Sequence, residues 1–194
     1  MSPDLSAHDL AALPASSLAP LRRQIGRLCQ LIRFAAMVYA LWVVWNVITL
    51  WSDKDQINFH YGRWLRVDLS GIQSWQQLAG FALHGVICAF VIAACHAAWK
   101  LFSGYLDGRI FTLDAGIWLR RIGLFGLVAE LLDILTRPLT ILTVTAHLPP
   151  GQRHIGFALN QNDLAFLLLL GALLALAHIF TKAAEIAVDN EGIV

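Results

Sequence analysis

The chain has 194 residues, 58% of them hydrophobic and 14% charged, with a mean hydropathy of +0.63. A soluble domain of this length has too little interior to hide so much apolar surface, so the composition is that of a polytopic membrane protein. A formal net charge of +1 leaves no chain-wide footprint for nucleic acid, and direct nucleic-acid binding is not expected.

Residues 1–27 read as a flexible cytoplasmic tail, rich in Ala, Ser and Pro and without the positive start of a signal peptide. Arg22, Arg23 and Arg27 then precede an apolar run over about 28–51, long enough to cross a hydrocarbon layer of roughly 30 Å as an uncleaved anchor. After an outer loop, 52–74, a second helix is expected over about 75–102, with Ser74 as N-cap and Gln77 closing a capping box. A third covers about 115–146, capped by Thr112 with Asp114 in its first turn. A second outer loop, 147–161, leads to a fourth helix over about 162–188, opened by Asn160, Asn162 and Asp163, and residues 189–194 form a cytoplasmic tail. The fold class is therefore an all-α membrane protein, one four-helix transmembrane domain over 28–188.

Lys and Arg set the orientation. Arg22, Arg23, Arg27, Arg33, Lys100, Arg109, Arg120, Arg121 and Lys182 fall on one side, against Lys54, Arg63, Arg66 and Arg153 on the other, which places both termini in the cytoplasm. In the outer loops, Leu65, Val67 and Leu69 alternate with Trp64, Arg66 and Asp68, and Ile155, Phe157 and Leu159 with His154, Gly156 and Ala158. Period two predicts a small antiparallel β element over the outer face; the alternative is two amphipathic loops on the headgroups.

Small residues mark packing seams: Gly85, Ala89, Ala93 and Ala97 on helix two, Gly123 and Gly126 on helix three, Gly171 and Ala175 on helix four. Helix three is the costly one. Its apolar side chains from Leu119 to Thr145 favour insertion by about 6 kcal/mol, whereas Glu130, Asp133 and Arg137 would each cost about 2.5–3.5 kcal/mol if central and unpaired. Spacings of i, i+3 and i, i+4 put the three on one face, with Asp133 and Arg137 as a natural pair and Glu130 left needing a proton or a neighbour. Pro138 should kink or interrupt this helix, and Asn46, at similar depth on helix one, is the candidate to join the intramembrane polar cluster. The cluster is a register-fixing polar seam, or, alternatively, an ion or proton site in a small transporter or channel subunit.

Cys29, Cys88 and Cys95 lack metal-ligand spacing, and the common short catalytic motifs are absent, so neither a metal nor an enzymatic activity is expected. His96 and His178, at similar depth on two helices, are the single candidate cofactor pair, for a haem in a membrane electron carrier; satisfied polar histidines are the commoner outcome, and no cofactor is expected. On the inner side, Arg109, Phe111, Arg120 and Arg121 with Glu185, Asp189 and Glu191 form the candidate docking surface.

YLDGRIFTLDAGIWLRRIG, RPLTIL, PPGQRHIGFALN and the closing AAEIAVDNEGIV resemble, in order and spacing over roughly residues 30–194, a bacterial four-helix membrane family described as a domain of unknown function (number two-nine-seven-five). The resemblance implies a multi-pass protein of the bacterial cytoplasmic (inner) membrane. Its expected role is that of a sensor or membrane-side regulator whose partner, besides the bilayer, is a small soluble helix-turn-helix regulator. It assigns no catalytic or ligand residues and no oligomeric state.

Overall fold

The computed structural model describes residues 15–108, 112–149 and 159–191 together with 151, 153 and 156, with side chains described from 26 to 186. Four long helices dominate: α1 (Ala15–Ser52), α2 (Ser74–Leu106), α3 (Leu113–Thr145) and α4 (Gln161–Glu191). Gly26–Ser52, Ser74–Leu106 and Gln161–Ile186 are long and apolar enough to cross a membrane. The protein is a membrane protein. α3 has 33 residues, as many as α2, but its charged face sets it apart.

The helices pack in chain order, α1 on α2, α2 on α3 and α3 on α4, as an antiparallel row. The outer helices of the row stay largely uncovered, with Leu28, Leu31, Leu41 and Trp45 of α1 and Leu164, Leu168, Leu169 and Ile179 of α4 exposed. Exposed apolar side chains on all sides suit a hydrocarbon solvent. Small residues set the close contacts. A Cβ at Gly123 would stand 2.8 Å from Leu174 Cδ2, and one at Gly126 2.6 Å from Leu170 Cδ2. Gly171 faces open space and Ala175 is exposed, so α4 meets α3 through Leu170, Leu174 and Thr181 rather than through its own small residues. On α2, Ala97 is buried in a contact, while Gly85 has nothing near it.

The expected outer β element does not form in the first loop, and no strand occurs among the described residues. Lys54–Ile57, Asn58–Gly62 and Arg63–Leu65 are instead successive helical turns, the middle one a π-helix. They close at Arg66, which adopts the left-handed conformation (φ 56°), and Val67 N–H returns to the Gly62 carbonyl. Local hydrogen bonds defeat the alternation: Asn58 Oδ1 accepts from Leu69 N–H at 2.9 Å, and Asp68 Oδ1 from Ser70 N–H at 2.9 Å. Leu69 is buried because the chain turns inward with Trp51, Ile57, Ile72 and Val144, forming an apolar cap over the outer helix ends. The second half of that expectation rests on His154, Ile155, Phe157 and Ala158, which lie outside the described residues.

Boundaries shift at the helix ends. α1 is already helical at Ala15, well before residue 28, because its Ala, Leu and Arg content continues the helix beyond the apolar run. The capping box of α2 begins one residue earlier than expected, at Gln73, whose N–H donates to Gln76 Oε1 at 2.7 Å. Gln76, fully buried, also donates to the Thr143 carbonyl of α3 at 2.5 Å, which places a polar side chain where a partner helix ends. Thr112 caps α3 as expected, accepting from Ala115 N–H. α3 runs without a break through Pro138.

Candidate functional site

The charged face of α3 is built around Arg137. Its Nε and Nη2 donate to Asp133 Oδ2 at 3.0 and 2.6 Å, the i, i+4 pair expected from the spacing. Its Nη1 and Nη2 also donate to Asp163 Oδ2 and Oδ1 at 2.6 and 2.8 Å, a two-pronged contact that matches the planar guanidinium to a carboxylate. Asp163 Oδ2 in turn accepts from Asn160 N–H at 2.7 Å, so the residue that opens α4 also ties it to α3. The Asp163 side chain is 5% exposed, against 28% for Arg137 and 37% for Asp133. Both bonds to Asp133 end on Oδ2, and its Oδ1 accepts no hydrogen bond among the described residues.

Glu130 lies about one turn deeper, half-buried, with no hydrogen bond or ion pair among the described residues. Asn46 does not join the cluster. It is exposed on α1, and its Nδ2 donates to its own helix at Trp42 O, 2.8 Å away. α1 packs mainly on α2 and meets α3 at the outer end, where Trp51 and Val144 share one apolar core.

Above this face opens a cleft of about 520 Å³. Asp133, Thr136, Arg137 and Thr140 line its α3 wall, His60, Tyr61 and Trp64 come from the outer helical turns, and His84 from α2. His84 Nδ1 is 3.0 Å from the Gly80 carbonyl, so that nitrogen carries the proton and Nε2 faces the Tyr61 hydroxyl at 3.5 Å. Trp51 fills the space behind, 5.2 Å from His84 and 6.1 Å from Tyr61 between ring centres. Burial, reinforced by the charge of Asp133, pushes the Tyr61 hydroxyl up to about 12, which keeps it a donor at physiological pH. Thr140 is almost completely buried, and its hydroxyl has no hydrogen-bond partner among the described residues.

His96 and His178 are not brought together. His96 stands by Trp118 of α3 at 6.4 Å, whereas His178 is exposed on α4, and both helices pack on α3. Among the described residues no group of three or more His, Cys, Asp or Glu side chains has metal-binding geometry. At the inner end, Arg120 is exposed, Arg121 lies over the Trp118 ring at 4.5 Å, and Glu185 pairs with Lys182 at 2.7 Å. Arg109 and Phe111, and the side chains of Asp189 and Glu191, lie outside the described residues.

Sequence reasoning missed Asp163 as the second carboxylate on Arg137, and it missed the aromatic wall of Tyr61, Trp64 and His84. Asp163 had a usable signal, because it begins a helix at the same outer depth at which Arg137 was placed. The aromatic wall had none, since it depends on the outer loop folding as helical turns. Comparison with known proteins found no match among curated proteins or solved structures. A family described as "Protein of unknown function (DUF2975)" matches residues 59–194, beginning in the outer helical turns and leaving α1 outside the match. With well over half of its length matched in this way, the chain belongs to the DUF2975 family.

Proposed function

We propose that the protein is a non-enzymatic sensor of the bacterial cytoplasmic membrane, with four spans and both termini inside. The observation that carries the reading is the outer cleft, whose walls come from the outer turns, α2 and α3 and whose polar floor is bonded directly to the start of α4. A span for α3 is supported by its length, about 50 Å at 1.5 Å per residue, and by pairing of its costliest cation with two carboxylates.

Occupancy of the cleft bears on Asp133 and Arg137, and through Asp163 on the position of α4 against α3. The opposite ends of those helices carry Arg120, Arg121 and Glu185, so a change at the outer end biases the inner surface. A two-state shift of this kind requires only that the ligand bind one arrangement more tightly than the other. The partner on the inner side is a small soluble helix-turn-helix regulator held at the membrane.

Affinity purification of the full chain from detergent-solubilised membranes tests this. The proposal expects a soluble DNA-binding protein to co-purify and to be lost when residues 185–194 are deleted. Recovery of lipid and further copies of the chain alone would overturn it.

A further inference from the structure

The cleft also carries information on what enters it. Of the charged side chains that line it, Asp133 and Arg137 are paired with each other, and Asp163, outside the lining, shares the same guanidinium, so among the described residues this triad of two carboxylates and one guanidinium sums to −1. Both oxygens of Asp163 are occupied, and Arg137 is already shared between two carboxylates. An anionic ligand would have to displace one of those contacts. Asp133 Oδ1 is different: it belongs to a cleft-lining side chain and accepts no hydrogen bond among the described residues. A neutral apolar ligand would cover that oxygen without offering it a hydrogen bond, at the cost of desolvating a polar atom left without a partner.

The walls add a second preference. Tyr61 lies at the side with His60 edge-on at 4.9 Å, and Trp64, 62% exposed, stands at the mouth, where its ring is available to an incoming group. Aromatic faces beside a carboxylate are the surroundings that a cation on an organic body selects. Independently of both, the buried Thr140 hydroxyl in the cleft lining has no hydrogen-bond partner among the described residues, which marks the floor as incompletely satisfied by them.

Resting on the reading of the cleft as the sensor's input, we infer that it binds an ammonium group carried on a small apolar body, with Asp133 Oδ1 as counter-ion and the rings of Tyr61 and Trp64 as walls. The ammonium comes from a soluble amine or from the headgroup of phosphatidylethanolamine; the chemistry recognised is the same. Arg137 holds Asp133 in place from the side opposite its free oxygen and makes no contact with the ligand.

The test uses the full chain in nanodiscs of phosphatidylglycerol, titrated with benzyltrimethylammonium and read by calorimetry and tryptophan fluorescence. Saturable binding is expected, weaker by about tenfold or more in Asp133→Asn and by about threefold or more in Trp64→Leu. Trp64→Phe should recover part of the loss, and Gly171→Ala, on an open face, should bind as the unaltered chain does. Trp64 is exposed, so its variants keep the test decisive if Asp133→Asn does not fold. Adding phosphatidylethanolamine lowers the apparent affinity if the lipid headgroup is the source and leaves it unchanged if a soluble amine is; either result agrees with ammonium recognition. Absence of saturable binding, equal binding of benzoate, or unchanged binding in Trp64→Leu would overturn the inference. Its failure with a regulator still co-purifying leaves the sensor standing, whereas ammonium binding without any partner removes the readout and leaves the cleft.

Discussion

Gly80→Ala is the sharpest perturbation of the outer end. A methyl group at Gly80 would overlap the Trp51 ring, which is 3% exposed and anchors the apolar cap between α1 and α2. Alanine improves intrinsic helix propensity by about 1 kcal/mol. Against that, the ring has no free direction to move: Tyr61 and His84 lie beside it, and Ile57, Leu69, Ile72 and Val144 belong to the same core. Overpacking of such a site costs about 1–3 kcal/mol, and expulsion of the ring would approach the 3–5 kcal/mol of a large aromatic truncation. The net expectation is a loss of about 2 kcal/mol, or roughly 4–8 °C for a chain of this size. Thermal unfolding in detergent, followed by circular dichroism, measures it. Gly85→Ala is the internal control, because nothing lies within 4 Å of a Cβ there, and it should be neutral or slightly stabilising. Combining Gly80→Ala with Trp51→Ala should cost less than the sum of the single changes, since the overlap vanishes with the ring. Equal melting temperatures for Gly80→Ala and Gly85→Ala would refute the reasoning.

Three other predictions concern the same scaffold. Gln76→Leu removes the buried bonds to Thr143 O and Gln73 N–H and should cost about 1–3 kcal/mol of stability, while Gln77→Leu, with one 3.3 Å bond to Trp51 O, should cost less in the same melting assay. Gly123→Leu drives a side chain into Leu174 and should lower the melting temperature through an overpacking cost of about 1–3 kcal/mol, whereas Gly171→Leu, facing open space, should leave it unchanged. The Ser70 N–H, with the Ser70 hydroxyl, holds the Asp68 carboxyl below its ordinary value of 3.8. A carboxylate lowered by folding stabilises above its unfolded value and loses that contribution as pH falls through the folded one. The protection of the Ser70 amide, its exchange rate measured against the intrinsic rate at the same pH, should therefore fall below about pH 4, and Asp68→Asn should abolish that dependence.

What could be read from sequence was whatever depends on one helix at a time. Hydropathy located α2, α3 and α4 to within a few residues, and i, i+4 spacing gave the Asp133–Arg137 pair, since both are properties of a single axis. Relations across helices were harder. Asn46 is exposed on α1 and bonds to its own helix, because the face a side chain takes follows from packing and not from counting residues along one axis. The Asp163 contact required knowing that α3 and α4 are neighbours. Alternation in the outer loop misled for a different reason: Leu65, Val67 and Leu69 are all drawn toward the cap, and a short turn held by Asn58 and Asp68 produces the same period as a strand.

The account stands on α3 crossing the membrane with its cleft facing outward. Single cysteines placed at Asp107 and Pro149, in a chain with Cys29, Cys88 and Cys95 replaced by alanine, report the two ends of α3 to a membrane-impermeant maleimide. In intact spheroplasts the account predicts labelling of Pro149→Cys and protection of Asp107→Cys until the membrane is opened. Labelling of both positions from the same side would contradict it, because α3 would then not be a span and the cleft would not open outside.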